Sequence, residues 1–423
     1  MSLPGPQLKR GFVARLSRQL VAGIALLGTF PALAAGLPPL QPLIDAAEAN
    51  TTLVPPPGNY AGPVYIDKPL IIDGEGKVVI DAGGKGSVIY LDTDGATLRN
   101  LRLTNSGNSH NDLDAGVLVR GNFNVIKDNV IDDCLFGIDL QQSEFNVVRR
   151  NHISSKDVEL GMRGDAVRLW YSFNNQITEN TIRNSRDTVV WYSRDNVIAR
   201  NDARYGRYSL HFMYSQHNIV EENHYTHNSV GIFLMYSDGV EVRNNYIAHA
   251  IGPTGVGIGM KETSDIVMEG NQLLYNASGV SLDVSPYQPD SLNHIHDNLI
   301  AYNNIGVRFL NDWTGNVFRQ NRFKSNITQI AVGDGATANR NDWEGNYWDD
   351  YEGFDLNHDG TGDTPHEIFA YADRLWMDLP SAQFFKGSPI LEVIDFLERL
   401  APFTDPTMVL RDARPVISAE LTQ

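Results

Sequence analysis

Short segments of alternating apolar and polar residues recur along most of the chain, and asparagine or glycine stands between them. Alternation with a period of two indicates strands that are buried on one face. A second strand pattern, G-[VI]-x-[LFV], lies between these segments, as in GVLV at Gly116 and GIFL at Gly231. Six segments follow the string N-[VI]-x-x-x-N, one of them loosely, and they begin at Asn124, Asn146, Asn175, Asn196, Asn218 and Asn316. The repeat unit is therefore about 22 residues long and holds two or three short strands.

One such unit cannot bury its own apolar face, but stacked units can. Equivalent strands of successive units would pair in parallel, and asparagines at the turns would form amide ladders along the stack. The pattern predicts an all-β protein, a right-handed parallel β-helix of about ten or eleven coils with a short C-terminal α-helical segment and tail. A leucine-rich-repeat horseshoe would need a leucine pattern and a helical half that the sequence lacks.

The beginning of the chain carries the pattern of a secretory signal peptide. Residues 1–34 contain four basic residues, then an apolar stretch from Leu20 to Phe30, then the small residues Ala32 and Ala34. The apolar stretch is shorter than the roughly 20 residues that span a bilayer. We therefore expect export, with cleavage near Ala34.

The rest of the chain divides where the repeat begins and ends. A proline-rich lead-in over residues 35–60 is expected to cap the first coil, and the β-helix is expected over residues 61–350. An Asp-rich loop and C-terminal cap follow over residues 351–387. Residues 388–423 hold helical apolar spacing after a Ser-Pro start, and then a tail with no packing signal.

The net charge limits the possible partners, and the cysteine content excludes disulfides. The formal net charge is −17, which disfavours nucleic acid as a partner. Cys134 is the single cysteine, so disulfides do not hold this fold even though an exported compartment would permit them. Its position inside a repeat predicts a small buried residue.

An unusual outward column emerges when the strands that contain the second pattern are aligned. Side chains alternate inward and outward along a strand, and successive coils lie about 4.8 Å apart. The outward column consists of Trp170, Trp191, Met213 and Met235, with Phe233 beside it and His211 one strand position away. Exposed apolar columns indicate a partner surface, which assigns Trp170, Trp191 and Phe233 to partner binding.

Thioether and imidazole groups suit Cu(I), so His211, Met213 and Met235 are candidate ligands for transiently bound copper. Alternatively, another part of the chain covers the column and makes it a second core. Three further histidines fall in turns and are expected to be solvated: His217, His224 and His227.

A second candidate metal site follows the repeat. The stretch DLNHDGTGD places oxygen ligands at Asp355, Asn357, Asp359 and Asp363 on a glycine-containing loop, as at the start of a calcium loop. His366 stands where an EF-hand would have a bidentate glutamate. A structural calcium site and a plain Asp-rich turn both remain open.

Three C-terminal strings are more specific to one family than the repeat is. They are GNYWDDYEGFD from Gly345, DGTGDTP from Asp359 and FLERLAPF from Phe396. Together they resemble the NosD family over nearly all of the chain that follows the signal peptide. The resemblance implies a periplasmic β-helix protein that works with an ABC transporter, made of a permease and an ATPase, and with a copper-chaperone lipoprotein. It implies a role in assembling the copper–sulfur centre of nitrous oxide reductase. No catalytic residue follows from it, and no family motif fixes a copper ligand.

With this resemblance, the C-terminal helical spacing predicts a surface that docks on the permease, through which alone the protein would contact the membrane. The residues of this apolar stripe are Ile390, Leu391, Ile394 and Leu397.

Two alternatives remain open. A carbohydrate-active β-helix enzyme (a lyase, hydrolase or epimerase) needs clustered acids, and acidic residues stand at positions 112, 114, 132, 133 and 165, with His110 nearby. The GHG string of pectinases is missing. The third possibility is a passive scaffold that binds only proteins.

Overall fold

Three columns of short parallel strands, joined by tight turns, form the body of the molecule. The computed structural model describes residues 36–252, 254–333, 337–370, 388–401 and 407–418, so the predicted signal peptide lies outside the described residues. One column is a twelve-stranded sheet, and the other two belong to a 24-stranded sheet that bends around the axis. Among the described residues, no helix is both long and apolar enough to cross a bilayer.

The twelve-stranded sheet consists of β3 (Val64–Ile66), β5 (Ile89–Leu91), β7 (Ala115–Val119), β10 (Phe136–Gln141), β13 (Val167–Trp170), β16 (Asp187–Trp191), β19 (Tyr208–Met213), β22 (Val230–Met235), β25 (Val256–Lys261), β28 (Ser278–Asp283), β31 (Ile305–Phe309) and β34 (Thr328–Val332). The second column consists of β1 (Thr52–Leu53), β4 (Ile71–Asp81), β6 (Thr97–Thr104), β8 (Val125–Lys127), β11 (Val147–Arg149), β14 (Gln176–Thr178), β17 (Val197–Ala199), β20 (Ile219–Glu221), β23 (Glu241–Arg243), β26 (Val267–Glu269), β29 (Asn293–His296), β32 (Asn316–Arg319) and β35 (Asp342–Glu344).

Strands β4 and β6 continue into the third column, which also contains β2 (Gly58–Ala61), β9 (Val130–Asp132), β12 (His152–Ser154), β15 (Thr181–Arg183), β18 (Asp202–Arg204), β21 (His224–Thr226), β24 (Tyr246–Ala248), β27 (Gln272–Leu274), β30 (Leu299–Ala301), β33 (Arg322–Lys324) and β36 (Tyr347–Trp348). Outside the columns lie helix α1 (Gln41–Ala46), a 3₁₀ turn (Leu160–Met162), β37 (His366–Ala370), helix α2 (Pro389–Leu400) and β38 (Thr407–Asp412).

The predicted right-handed parallel β-helix is confirmed, and it has about 13 turns rather than ten or eleven. The prediction was low because the first two coils, at Thr52 and Ile71, lack the asparagine repeat that marks the later coils. Every pairing within the columns is parallel, and equivalent residues of successive coils face each other. The inward side chains form one continuous apolar core, in which Val190, Phe212 and Leu234 are fully buried.

The turn asparagines form the expected amide ladders. Asn151, Asn180 and Asn201 each donate from Nδ2 to the Oδ1 atom of the asparagine in the next coil, over 3.0 Å. The same Oδ1 atoms accept a backbone N–H, so each amide satisfies buried groups of two coils. Cys134 is buried beside this core as predicted, and burial raises the pKa of its thiol to about 12.

The C-terminal end of the core is closed by residues that lie far away in sequence. Strand β38 pairs antiparallel with β37, and the side chain of Asp412 reaches the end of the asparagine ladder. Its fully buried carboxylate accepts hydrogen bonds from Asn346 Nδ2 at 3.0 Å and Trp348 Nε1 at 3.1 Å. It also accepts bonds from the backbone N–H groups of Gly345 and Asn346. Strand β38, in the segment expected to form a tail without packing of its own, therefore caps the β-helix.

Candidate functional site

The candidate site lies on the outer face of the twelve-stranded sheet, at the ends of β13, β16, β19 and β22. Trp170 pairs in register with Trp191, Trp191 with Met213, and Met213 with Met235. These four half-buried side chains thus form one column, which we call the Trp–Met column. Lys261 follows in the next coil and forms an ion pair with Asp283 at 3.2 Å, which ends the apolar part.

His211 lies closer to this column than the strand alternation alone indicated. Its Nε2 atom is 3.3 Å from Met235 Sδ, although the two residues are 24 positions apart. The imidazole stacks on Tyr208 with ring centroids 4.8 Å apart, and it meets Trp191 edge-on at 6.0 Å. The structure therefore brings His211 and Met235 together, with Met213 beside Met235 in the same column.

The environment of His211 favours a neutral imidazole. The residue is 7% exposed, and this burial lowers the pKa of His211 below its ordinary value near 6.5; Arg207 lowers it further and Asp187 opposes the shift. A neutral imidazole and a thioether are ligands that suit Cu(I). The residues therefore fit a soft monovalent cation without adding charge to a partly buried site.

Two buried nitrogen atoms at this site have no hydrogen-bond partner within the described part of the chain. They are Nδ1 of His211 and Nε1 of Trp191. Buried polar atoms in native proteins are nearly always paired, so an unpaired one calls for an explanation such as a ligand or an ordered water. Two of them beside one histidine–methionine contact make this part of the column the candidate binding site.

A buried ion pair holds the other end of the column. The Arg168 guanidinium lies over the Trp170 ring at 4.8 Å and is 5.9 Å from the Trp191 ring. Arg168 also pairs with the fully buried Asp139 at 3.0 Å. Burial raises the pKa of Asp139, and the arginine opposes that shift. This cation–π arrangement fixes both indoles, because the cation is itself anchored by the ion pair.

A ladder of stacked tyrosine rings borders the Trp–Met column, and sequence reasoning missed it. The rings of Tyr171, Tyr192, Tyr214 and Tyr236 are 5.0, 5.2 and 4.8 Å apart in order along the axis. Each tyrosine directly follows a column residue and adopts a positive φ near 50°. The recurring tripeptides WYS, WYS, MYS and MYS would have revealed it. Their serines form a buried ladder in which each backbone N–H donates to the next Oγ.

The turn histidines are less isolated than expected. His217 is exposed at a turn, as predicted. His224 lies in strand β21 rather than in a turn, and its ring stacks on Tyr246 at 4.8 Å. His227 stacks on His249 at 4.6 Å.

The candidate calcium loop is organised by its own backbone. Asp355 accepts from the N–H groups of Asp359 and Gly360, and Asp359 accepts from Thr361 N at 2.8 Å. Asp363 accepts from Leu356 N at 2.7 Å, and the amide of Asn357 donates to Asp359. These are the contacts of an Asp-rich turn, and calcium binding here stays a prediction.

The acids considered for an enzyme are engaged within the scaffold. Asp132 pairs with Arg102 at 2.9 Å, and the buried Asp165 pairs with Arg186 at 2.9 Å. Burial raises the pKa of Asp165 to about 6. The other candidates bond to nearby loops or coils: Asp112 and Asp114 to Ser109, Asp133 to Lys156, and His110 to Met162.

Helix α2 presents much of the predicted apolar stripe to solvent. The side chains of Ile390, Ile394 and Leu397 are 70%, 41% and 47% exposed, and Leu391 is half-buried. Phe396 extends the apolar surface and is 60% exposed. Contiguous exposed apolar side chains on one helix are typical of a binding surface.

Comparisons with known proteins identify related sequences. A family model described as "Periplasmic copper-binding protein (NosD)" matches residues 156–353, which include the whole Trp–Met column. A Pseudomonas aeruginosa protein named "Probable ABC transporter binding protein NosD" is 31% identical over 376 residues, covering 85% of this chain and 86% of that protein. A Stutzerimonas stutzeri protein of the same name is 30% identical over 126 residues, covering 30% of this chain and 29% of that protein.

Solved structures share the fold. The A-module of the Azotobacter vinelandii mannuronan C-5 epimerase AlgE6 aligns with a TM-score of 0.54 at 17% identity, covering 70% of this chain and 91% of that module. The A-module of AlgE4 from the same organism aligns with a TM-score of 0.50 at 16% identity, covering 73% of this chain and 97% of that module. Identity this low shows a common β-helix architecture alone. Identity to the P. aeruginosa protein over most of both sequences is the stronger result, and this chain belongs to the NosD family.

Proposed function

We propose that this protein is a periplasmic accessory component of an ABC transporter system and that it relays Cu(I) during assembly of the copper–sulfur centre of nitrous oxide reductase. The family description and the name of the P. aeruginosa relative support the periplasm, copper and an ABC transporter. The observation that carries the copper part is the 3.3 Å contact between His211 Nε2 and Met235 Sδ. In this proposal the protein positions a cargo and has no catalytic residue.

The spacing of the two donor atoms fits one shared ion. Bonds of about 2.0 Å to nitrogen and 2.3 Å to sulfur, as at zinc sites, place two donors of a tetrahedral ion about 3.5 Å apart. The observed 3.3 Å separation needs only a small side-chain adjustment to reach that value. Met213, one coil before Met235, supplies a third soft donor. Two or three neutral ligands give exchangeable binding, as a relay requires.

Anaerobic Cu(I) titration against a chromogenic chelator tests this site directly. We expect the protein without its signal peptide to bind one Cu(I), and the double variant His211→Ala with Met235→Leu to bind at least tenfold more weakly. A matched control removes the same residue types elsewhere, with His217→Ala and Met162→Leu, both exposed positions, and should bind as the wild type does. Equal affinity in the double variant and the control would contradict the assignment.

The Trp–Met column also fits the delivery partner. In this proposal a copper-chaperone lipoprotein contacts the exposed parts of Trp170, Trp191 and Phe233 next to the copper ligands. Large aromatic side chains at the centre of an interface carry much of its binding energy. The chaperone would thus place its ion beside His211 and Met235, and the reductase would receive it later from the same face.

Helix α2 is proposed to dock on the transporter permease, whose ATPase subunit lies on the other side of the membrane. An amphipathic helix binds a partner by laying its apolar face into a hydrophobic groove. Because α2 has an exposed apolar face, the partner rather than the β-helix would bury it.

Replacing two exposed apolar residues of α2 should abolish permease binding without unfolding the protein. We expect Ile394→Glu with Leu397→Glu to lose co-purification with the permease, because two charges would have to be buried in the groove. Point substitutions are needed here, since deleting the C-terminal segment would also remove the Asp412 cap. Leu356→Glu, at a residue 75% exposed on the Asp-rich loop, is the matched control. Retained co-purification of the double variant would disprove this docking surface.

A further inference from the structure

The edge of the twelve-stranded sheet opposite the tyrosine ladder carries a second ladder of stacked rings. Its stacked rings are His227, His249, Tyr275 and Tyr302, and Tyr205 meets His227 at a tilt of 44°. Each ring belongs to the turn that precedes a strand of that sheet. All five residues have a positive φ between 57° and 63°, which turns the side chains outward at the corner. The ladder is independent of the Trp–Met column, which lies at the other end of the strands.

Two imidazoles are neighbours within this second ladder. His227 and His249 occupy the same position in successive coils, because Thr226 pairs with Ala248 directly before them. Their ring centroids are 4.6 Å apart, with 24° between the ring planes. His227 is exposed and His249 is half-buried, so the outer edges of both rings are open to solvent.

Their backbone spacing is suitable for two ligands of one metal ion. Two histidines at i and i+4 of a helix bind one zinc ion although their Cβ atoms are about 5–6 Å apart. Equivalent residues of adjacent coils are about 4.8 Å apart. The backbones of His227 and His249 are therefore at least as close as those of such a helix pair. The rings are stacked with 24° between their planes, so both would turn about χ2 to direct one nitrogen each at a shared ion.

A three-residue group of potential ligands elsewhere is a weaker candidate. Among the described residues, Glu269, His296 and Asp297 have ligand atoms within 4.8 Å of one another. Glu269 is already paired with Arg243 at 3.4 Å, and His296 Nδ1 lies 2.8 Å from Asp297. A metal ion would have to displace the Arg243–Glu269 and His296–Asp297 contacts. Among the described residues, the imidazoles of His227 and His249 make ring contacts and no ion pair.

We propose that His227 and His249 form a surface site for a divalent transition-metal ion, Zn²⁺ or Cu²⁺, separate from the Cu(I) site. Imidazole nitrogen is a preferred ligand of both ions. Two protein ligands leave the remaining positions to water, so binding is weak and exchangeable. The site is independent of the proposed function, since it shares no residue with the His211–Met235 pair.

Calorimetric titration of the tag-free protein, without its signal peptide, with ZnCl₂ and with CuSO₄ tests this site. We expect one equivalent of micromolar affinity, at least tenfold weaker in His227→Gln or His249→Gln, and lost in the double variant. His217→Gln, an exposed turn histidine of the same coil as His227, should bind like the wild type. The variant His211→Ala with Met235→Leu should also bind like the wild type, which separates this site from the Cu(I) site. No binding by the wild type, or full binding by the double variant, would overturn the proposal.

Discussion

The triple variant His211→Ala, Met213→Leu and Met235→Leu is expected to fold normally and to leave nitrous oxide reductase depleted of copper. Each Met→Leu change keeps the side-chain volume and should cost under about 1.5 kcal/mol. His211→Ala leaves a cavity, but it also removes the buried Nδ1 atom that has no partner within the described chain, so part of its cost is offset. Loss of three soft donors, in contrast, removes every proposed Cu(I) ligand. The copper content of reductase purified from cells carrying the variant is the measurement.

A control variant separates copper loss from simple damage to the sheet. Val189 is fully buried and pairs in register with His211, so Val189→Ala makes a cavity in the neighbouring strand without removing a proposed ligand. We expect this control to have a melting temperature similar to that of the triple variant, together with full copper content in the reductase. If the folded triple variant also gives fully loaded reductase, the Trp–Met column is only a packing or docking surface.

Asp412→Ala is expected to be among the most destabilising single changes in the molecule. The carboxylate accepts five N–H groups, from Gly345, Asn346 (backbone and side chain), Trp348 and Arg414, at 3.0–3.2 Å. Each buried donor left without a partner costs about 1–3 kcal/mol, so a loss on the order of 5 kcal/mol is expected. Chemical denaturation followed by circular dichroism would measure the free energy of unfolding.

Two further variants sharpen the test of this cap. Asp412→Asn keeps one acceptor oxygen but turns a donor NH₂ group toward other donors, so we expect an intermediate loss of stability. Asp67→Ala removes an exposed carboxylate and should change the free energy of unfolding by less than about 0.5 kcal/mol. An Asp412→Ala protein as stable as Asp67→Ala would mean that the C-terminal strand does not close the β-helix.

The Trp–Met column could be predicted from the sequence because a parallel β-helix repeats its register. Once the period is known, residues at equivalent positions of successive coils must be neighbours, however far apart they lie in the chain. The same reasoning applied to the recurring WYS and MYS tripeptides would have placed the tyrosine ladder beside the column. It would also have stacked His227 on His249, since both precede a strand of the same sheet.

The sequence grouped His211 with Met235 as candidate ligands of one ion, but their direct contact did not follow from the register alone. The two side chains belong to different columns, and their contact runs diagonally between adjacent coils. Such contacts depend on side-chain torsions and on the rings of Tyr208 and Trp191 that surround the imidazole. The Arg168–Asp139 ion pair was missed although the two residues pair in register, because an outward acid usually faces solvent and this one is fully buried.

By itself, the sequence determined the β-helix, its asparagine ladders and the alignment of equivalent positions, because these depend on a period that repeats every coil. The tertiary structure alone decided what closes the end of the repeat. Asp412 follows Asn346 by 66 residues and belongs to no repeat, yet it ends the ladder, because the last amide would otherwise face an unpaired edge. The tertiary structure likewise decided that Nδ1 of His211 and Nε1 of Trp191 are buried without a partner among the described residues, because burial depends on packing and not on the sequence pattern.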